Sequence, residues 1–308
     1  MNDAFLKDTI NGLSSTPKTL SSRYFYDAIG DGIFQEIMQM EEYYLPACEL
    51  EIIQHKTSKI AEELTSKKID VIELGAGDGS KTVHLLKGLI GAGKEITYIP
   101  LDISSNVLKI NKLHIEKQLP ELQVEPIAGD YFETMKALKG RRNAKLILFM
   151  GSNIGNFKDE NAVEFLKLVK SYMTDGDALL LGVDLKKNPK TILAAYNDEA
   201  GITKRFNLNL LTRMNRELGA DFIVENFDHY AFYDPASGTS YSYIVSLKNQ
   251  TVEIADASIV FEKNECIHTE VSQKYNLADL ENLSQQAGFG KFTPFLDSKA
   301  WFCLGLMS

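Results

Sequence analysis

Short apolar stretches alternate with segments of helical periodicity through the first half of the chain. The predicted strands, apolar runs of six or seven residues, are 68–73, 95–101, 122–128, 145–150 and 178–183. The predicted helices, with apolar residues three or four positions apart, are 51–64, 82–89, 104–113 and 161–172. Strands that alternate with helices predict βαβ units and a parallel sheet, so the expected fold class is α/β.

The pattern changes towards both ends of the chain. The first fifty-odd residues are helical in periodicity and rich in aromatic side chains. After Lys187 come predicted helices at 191–198 and 203–218, then strand-like segments at 222–233, 240–247 and 250–255. These strand-like segments resemble an antiparallel meander, and the first pattern returns with a helix at 277–287 and a strand at 300–307. We predict a parallel-sheet domain interrupted by an inserted α+β domain, with the N-terminal segment packed on the insert.

Composition narrows the class of protein. A hydrophobic fraction of 44% in 308 residues is enough for a packed core. The formal net charge of -9 disfavours contact with a phosphate backbone, so we expect no nucleic-acid partner. We find no secretory signal, no stretch of eighteen apolar residues, and no disulfide or zinc spacing among the three cysteines. These features favour the reducing cytoplasm with no membrane partner, and Cys303 is expected to be a buried thiol. We expect a monomer.

The most informative segment is a glycine loop that follows the first predicted strand. It has glycines at 75, 77 and 79, preceded by Glu73 at the strand end and followed by a helix that starts near Lys81. The glycines allow a tight turn and close approach of the backbone to a ligand, and the helix N-terminus offers N–H groups. The spacing is G-x-G-x-G, whereas a dinucleotide loop requires G-x-G-x-x-G. This is the form of the class I methyltransferase loop, and Glu73 suits the ammonium side of S-adenosyl-L-methionine.

Two further acidic residues follow the next strands. Asp102 ends the second strand, where a carboxylate accepts both hydroxyls of a ribose. Asp130 follows the third strand, where it meets an adenine amino group and Tyr131 covers the ring. Gly75, Gly77 and Lys81 complete the predicted cofactor set. The alternative is a Rossmann-like fold whose glycines form turns and whose aspartates cap helices.

Candidate residues for an acceptor lie further along the chain. Asn156, in the segment after the fourth strand, lies where open α/β sheets bind ligands and could accept a hydrogen bond from an amine. A turn or N-cap asparagine is the alternative for this residue. Glu270 and Ser272 share one strand face and offer a carboxylate and a hydroxyl to one ring. The alternative for Glu270 is a solvated strand edge.

Several longer motifs resemble the histidine-specific Nα-methyltransferases, which make the trimethylated betaine of histidine used for ergothioneine. The likeness covers nearly the whole chain, and its motifs lie at residues 24–27 with Gly30, 42–44, 73–79, 151–156, 196–203, 206–207 and 268–275. The resemblance implies that Tyr26 and Tyr43 line the amino-acid pocket, that Asn156 and Tyr196 hold the amino and carboxylate groups, and that Glu270 and Ser272 face the imidazole. Tyr26 and Asn156 are the implied catalytic residues.

The change of pattern divides the chain into domains, and the resemblance shows one departure. Residues 1–55 begin the substrate-binding domain, 56–186 form the cofactor domain with a Rossmann-like sheet, 187–271 are the inserted substrate-binding domain, and 272–308 return to the sheet. The bacterial histidine enzymes place a methionine in the strand that matches residues 241–247. Here the candidates are Ser242 and Tyr243, and we assign Tyr243 to the pocket wall.

Three functions are compatible with these patterns. The first is N-methylation of the α-amine of L-histidine, and the second is the same reaction on tryptophan or tyrosine. The third is a catalytically silent protein that binds the cofactor or the amino acid, against which the intact set of cofactor and acceptor residues argues. Tyr24, Phe25 and Tyr44 are expected to pack rather than bind. The histidines have no carboxylate at metal-ligand spacing, so no metal site is predicted.

Overall fold

A computed structural model describes residues 3–157 and 159–308, apart from the side chains of residues 131, 137, 138, 159 and 160. It divides into two compact units. The large unit contains Leu45–Lys186 and Gln273–Ser308, and the small unit contains the chain up to Tyr44 together with Lys187–Ser272. Within the described ranges we find no helical stretch that combines the length and the apolarity of a transmembrane segment.

The helices are α1 (Asp3–Ser14), α2 (Ala28–Ile37), α3 (Leu45–Glu63), α4 (Thr82–Gly91), α5 (Ser105–Gln118), α6 (Tyr131–Thr134), α7 (Asp159–Ser171), α8 (Pro189–Tyr196), α9 (Ile202–Leu218) and α10 (Leu277–Gln286). The strands are β1 (Lys18–Thr19), β2 (Lys68–Leu74), β3 (Glu95–Asp102), β4 (Gln123–Val124), β5 (Ile127–Ala128), β6 (Ala144–Phe149), β7 (Ala178–Asp184), β8 (Phe227–Asp234), β9 (Thr239–Ser246), β10 (Gln250–Ile254), β11 (Ala257–Phe261), β12 (Cys266–Gln273), β13 (Phe292–Leu296) and β14 (Phe302–Met307).

The sheet of the large unit confirms the predicted α/β class. Its order is β13-β14-β7-β6-β2-β3-β4, with β5 also paired to β3. Strands β3, β2, β6 and β7 are parallel, and β14 runs antiparallel to β7. Because β2 lies between β3 and β6, the chain extends the sheet first to one side of β2 and later to the other. Ligands bind outside the carboxyl ends of strands at such a switch point, which here means the loops after β2 and β6.

Helix α3 belongs entirely to the large unit. Its buried residues include Ile52, Ile53 and Ile60, and it packs against α4 and β14. The predicted domain boundary at residue 55 falls inside this helix, whereas the units divide between Tyr44 and Leu45. The boundary is corrected because the apolar side of α3 is buried in the large unit over the full length of the helix.

The small unit has its own core and a four-stranded sheet of order β1-β12-β9-β8. Helix α9 contributes Phe206, Leu210 and Met214 to this core, where they join Phe5 and Phe25 from the N-terminal segment. The N-terminal segment therefore shares one hydrophobic core with chain beyond Lys187, because the aromatic residues of the first helices need that cover.

Three predicted strands differ from the structure. The third strand is interrupted between β4 and β5 at Pro126, which has no N–H to donate to a neighbouring strand. The strand predicted at 222–233 begins only at Phe227, after a 3₁₀ turn at Val224–Asn226. Strand β10 pairs with β11 in a separate two-stranded sheet, so the three segments form no continuous meander.

Candidate active site

The loop after β2 has an open surface beside a carboxylate. Gly75, Gly77 and Gly79 have φ values of 69°, 53° and 74°, which other residues rarely adopt. The Gly77 N–H donates to Oδ2 of Asp102 at 3.1 Å, and Oδ1 of Asp102 accepts from the N–H of Ser104 at 2.9 Å. A Cβ on Gly77 would meet nothing within 4 Å. Asp102 and the Gly77 backbone thus lie together at the carboxyl ends of β2 and β3.

Glu73 lies beneath this loop. It is buried, and its carboxylate accepts hydrogen bonds from Thr82 Oγ1 at 2.7 Å and from the hydroxyl of Tyr98. Burial raises the pKa of Glu73 to about 7, although both hydroxyl donors lower it. The role predicted for Glu73 beside the cofactor ammonium stays a prediction, and the structure adds that Thr82 and Tyr98 hold its carboxylate inside the unit.

Asn111 supports the loop from α5 and was not predicted. It is fully buried, and its Nδ2 donates to the carbonyl of Gly77 at 3.0 Å and to the Tyr98 hydroxyl at 3.3 Å. A Cβ on Gly79 would come within 2.9 Å of this amide, so the loop can pack against Asn111 only when residue 79 is glycine. A single asparagine in a helical pattern carries no signal for such a role.

The segment after β5 is only partly described. Asp130 is exposed, and its Oδ1 accepts from the N–H of Phe132 at 2.8 Å at the start of α6. This is the capping role considered as the alternative, and it leaves the carboxylate open to solvent. The side chain of Tyr131, predicted to cover an adenine, lies outside the described part of the chain. The neighbouring ring of Phe132 is exposed and rests edge-on against Phe165, with centroids 6.0 Å apart.

The turn after β6 carries Asn156. Gly151 and Ser152 both have positive φ, at 73° and 62°, and a 3₁₀ helix follows at Asn153–Asn156. Ser152 Oγ accepts from the N–H of Asp184 at 3.0 Å, which ties the turn to the end of β7. Asn156 is exposed at the end of this short helix.

Three further side chains connect this turn with the glycine loop and the residues that follow it. A Cβ added to either Gly75 or Gly151 would lie 3.7 Å from Nδ2 of Asn153. Lys81 directs its Nζ atom to Oε2 of buried Glu49, whose Oε1 accepts from the Gly151 N–H at 2.8 Å. Glu49 was not predicted as a site residue, because a glutamate in a helical pattern is normally a solvated position.

The small unit brings together three predicted substrate residues. The hydroxyl of Tyr196, at the end of α8, lies 3.0 Å from Oγ of Ser272 in β12. The ring of Tyr43 meets that of Tyr196 edge-on, with centroids 6.4 Å apart at 81°. Tyr196 and Ser272 are buried. Three separate chain segments therefore meet at one point of this unit.

The register of β9 against β12 shows which residue neighbours Glu270. The Ser246 N–H donates to the carbonyl of Glu265, and Thr269 Oγ1 donates to the carbonyl of Ser242. Residue numbers fall along β9 as they rise along β12, so the strands are antiparallel and Glu270 lies opposite Tyr241.

Tyr243, predicted as the pocket wall, lies on the same sheet face but beside His268, with ring centroids 5.4 Å apart. Ser242, the other candidate, is buried on the opposite face. Tyr241 is thus the aromatic neighbour of Glu270. The alternation of residues along β9 could not predict this, because it does not give the register between β9 and β12.

The aromatic residues of the N-terminal segment that were predicted to pack are buried. Tyr24, Phe25 and Tyr44 are buried, whereas Tyr26 is 43% exposed. The ring of Tyr26 stands edge-on to the rings of Phe34 and Phe206, with centroids 5.5 and 5.8 Å away. In the described residues, no group of histidine, cysteine and acidic side chains could hold a metal ion. Cys303 is buried, and burial raises the pKa of its thiol to about 12.

The geometry at the switch point defines a class of enzyme. A glycine loop with open backbone lies beside a carboxylate that ends the adjacent strand, and an exposed acid follows one strand further, which is the arrangement that the sequence predicts for S-adenosylmethionine. The protein is a methyltransferase that uses S-adenosylmethionine.

Comparison with known proteins identifies the family. The family model described as "Histidine-specific methyltransferase, SAM-dependent" matches residues 5–308, and the chain belongs to this family. It is 32% identical over 305 residues to the histidine N-alpha-methyltransferase of Mycobacterium tuberculosis, covering 98% of this chain and 94% of that protein. It is also 32% identical to the enzyme of the same name from Mycolicibacterium smegmatis, covering 99% and 94%. The L-tryptophan methyltransferase of Psilocybe serbica is 29% identical, covering 96% and 90%.

Proposed function

We propose that this chain methylates the α-amine of L-histidine, three times in succession, to give the betaine hercynine. Family membership supports the reaction class and the histidine acceptor. The structural observation that carries the proposal is the meeting of Tyr43, Tyr196 and Ser272 in the small unit. These are the residues for which the family resemblance implies amino-acid binding.

Methyl transfer to an amine requires a deprotonated acceptor and a defined approach to the methyl group. When bound, S-adenosylmethionine supplies an electrophilic methyl group on a positively charged sulfur. A protonated amine has no lone pair, so the acceptor must lose a proton and be held in line behind the methyl group. The amide oxygen of Asn156 is proposed to accept a hydrogen bond from the amine. The phenol of Tyr26, held by Phe34 and Phe206, is proposed to assist removal of the proton.

Recognition of the side chain is assigned to β12. Glu270 offers a carboxylate, and Ser272 a hydroxyl already positioned by Tyr196. A protonated imidazole donates from both nitrogens and so gains most from a carboxylate. An indole or a phenol has a single donor and needs no charged partner.

Tyr241 favours a second candidate, an aromatic amino acid such as tryptophan. Its ring lies opposite Glu270 and stacks with Phe232, with centroids 6.2 Å apart and planes at 16°. An indole would gain more contact area from such a wall than an imidazole would. One relative is named an L-tryptophan methyltransferase.

A mass-spectrometric assay distinguishes these candidates. The purified protein is incubated with S-adenosylmethionine and, separately, with histidine, tryptophan and tyrosine. We expect gains of one, two and three methyl groups on histidine, with the third form accumulating. Preference for tryptophan in kcat/KM would replace the histidine assignment, and silence towards all three would favour the binding-only alternative.

We also propose that the protein works as a cytoplasmic monomer on a free amino acid. The net charge of -9 disfavours a nucleic-acid partner. Light scattering at assay concentration, with an expected mass of 34.5 kDa, tests the oligomeric state.

A further inference from the structure

One buried carboxylate contacts two functional loops of the large unit. Glu49 lies in α3, and its side chain is 0% exposed. Its Oε2 contacts Nζ of Lys81, the residue directly before α4, and its Oε1 accepts from the Gly151 N–H at 2.8 Å. Lys81 belongs to the segment that follows the glycine loop, and Gly151 opens the turn that leads to Asn156. Glu49 therefore joins the cofactor side of the switch point to the acceptor side.

The fold provides space for this carboxylate. Gly182 in β7 faces it, and a Cβ at that position would lie 2.5 Å from Oε1 of Glu49 and 3.0 Å from Cα of Met150. Any larger residue would displace the carboxylate or the backbone that precedes Gly151. The position of Glu49 thus depends on Gly182, although the residues before and after this glycine in β7 are mostly bulky and apolar.

Electrostatics make both contacts necessary. A carboxylate removed from water requires a charged partner and further donors, and loss of one partner of a buried pair is strongly unfavourable. Lys81 supplies the charge and the Gly151 N–H supplies the second bond. The Lys81 ammonium is in turn placed by a rigid buried group, although its own side chain is 21% exposed.

We propose that Glu49 is a positioning residue for methyl transfer. It holds the Lys81 ammonium towards the cofactor and the backbone of Gly151, and with it the Asn156 turn, towards the acceptor. The inference rests on the proposed roles of Lys81 and Asn156. Glu49 acts through these two groups, so its loss should affect cofactor affinity and acceptor KM together.

The variant Glu49→Gln tests this with almost no change in shape. An amide offers one oxygen and one NH2 group in place of two oxygens, so either Lys81 or Gly151 faces a donor. The matched control is Asp177→Asn. Asp177 is also a buried carboxylate, and it contacts both Nζ and the backbone N–H of Lys145, each at 2.6 Å. It lies at the amino ends of β6 and β7, away from the switch point.

Three quantities are measured for the wild type and both variants. These are the Kd for S-adenosylmethionine by calorimetry without acceptor, the KM for histidine, and the Tm. Both variants should lower the Tm. Glu49→Gln should raise the Kd about tenfold and also raise the KM for histidine, whereas Asp177→Asn should leave both within about twofold.

Several outcomes would overturn the proposal. One is a folded Glu49→Gln protein with unchanged Kd and KM, and another is an equal change in both variants. If Glu49→Gln does not fold, Glu49→Asp keeps the charge with a shorter reach, and an unchanged Kd there overturns the proposal equally. A wild type that binds S-adenosylmethionine but does not methylate histidine refutes the proposed function alone, because the Kd comparison still tests Glu49.

Discussion

The two units build their candidate sites in different ways. In the large unit, a glycine loop and Asp102 come from one continuous strand–loop–helix–strand run, and backbone groups form much of the binding surface. In the small unit, side chains form the site, and they come from distant parts of the chain. Tyr196 and Ser272, which share a hydrogen bond, are 76 positions apart.

The ligands proposed for the two sites account for this difference. A cofactor common to many enzymes can be held by backbone N–H groups and strand-end carboxylates, which need only a local turn. An acceptor must be distinguished from similar amino acids, which requires side chains arranged around its ring. Changes in the small unit should therefore alter specificity, and changes in the large unit should alter cofactor affinity.

The largest expected effect is on specificity, through Glu270. Glu270→Ala should reduce kcat/KM for histidine more than for tryptophan, by about a hundredfold in the ratio, because only the imidazole can use the carboxylate with both nitrogens. Steady-state kinetics on both substrates measure the ratio. Glu265→Ala is the control, since Glu265 lies just before the same strand and pairs with Lys18 at 2.9 Å. An equal decrease of kcat/KM for both substrates would show that Glu270 does not recognise the ring of the substrate.

The next effect concerns the cofactor and Asp102. Asp102→Ala should weaken S-adenosylmethionine binding by roughly 1.5–3 kcal/mol for each charged hydrogen bond lost, without changing the preference for histidine over tryptophan. Calorimetry on the folded variant measures the affinity. Asp102→Asn keeps the shape and one oxygen, so it should lose less. An unchanged Kd in Asp102→Ala would remove this residue from the site, and an altered preference would contradict the division of roles between the units.

The smallest effect is a pH dependence of stability with opposite sign in the two units. In the large unit, burial raises the pKa of Glu73 from 4.5 to about 7, so its stabilising contribution is present below pH 4.5 and is lost as the pH rises through 7. In the small unit, burial lowers the pKa of His229 from 6.5 to about 4, so its contribution is present above pH 6.5 and is lost as the pH falls towards 4.

Glutamine at either position removes one titration. Glu73→Gln should flatten the decrease in Tm between pH 4.5 and 8, and His229→Gln should flatten the decrease below pH 6.5, each by on the order of a few degrees. Thermal unfolding of the three proteins across this range measures both. Parallel curves for the wild type and Glu73→Gln would mean that Glu73 does not titrate as its burial implies.

Much of the large unit could be predicted from sequence. Its strands and helices are contiguous and strongly periodic, and the glycine loop with Asp102 is a local pattern. The prediction failed where a side chain's environment depends on neighbours from elsewhere. The burial of Glu73 and its hydrogen bonds from Thr82 and Tyr98 could not be predicted, and its role beside the cofactor stays a prediction. Asn111 and Glu49 were missed because their partners lie on other elements.

The architecture of the small unit was predicted from the change of pattern along the chain, whereas the roles of its site residues came mainly from the family resemblance. The period-two pattern predicts that Glu270 and Ser272 share one face of β12, and this stays a prediction because the alternation of burial along the strand breaks at Glu270 and Val271. The pattern could not show that Tyr241 is the neighbour of Glu270. The register between two strands depends on how they pair, and β9 and β12 are remote from each other in sequence. The separation of β10 from the β8–β9 hairpin was missed for the same reason.

The sequence by itself determined the alternation of strands and helices, the left-handed turns that require glycine, and the acidic residues at strand ends, because these depend on backbone sterics and short-range spacing. Tertiary structure alone decided which carboxylates are buried, which tyrosines meet, and which residues face Glu270. Those properties come from burial and pairing across long sequence distances, where the free energy of a side chain depends on the groups that surround it as well as on its own identity.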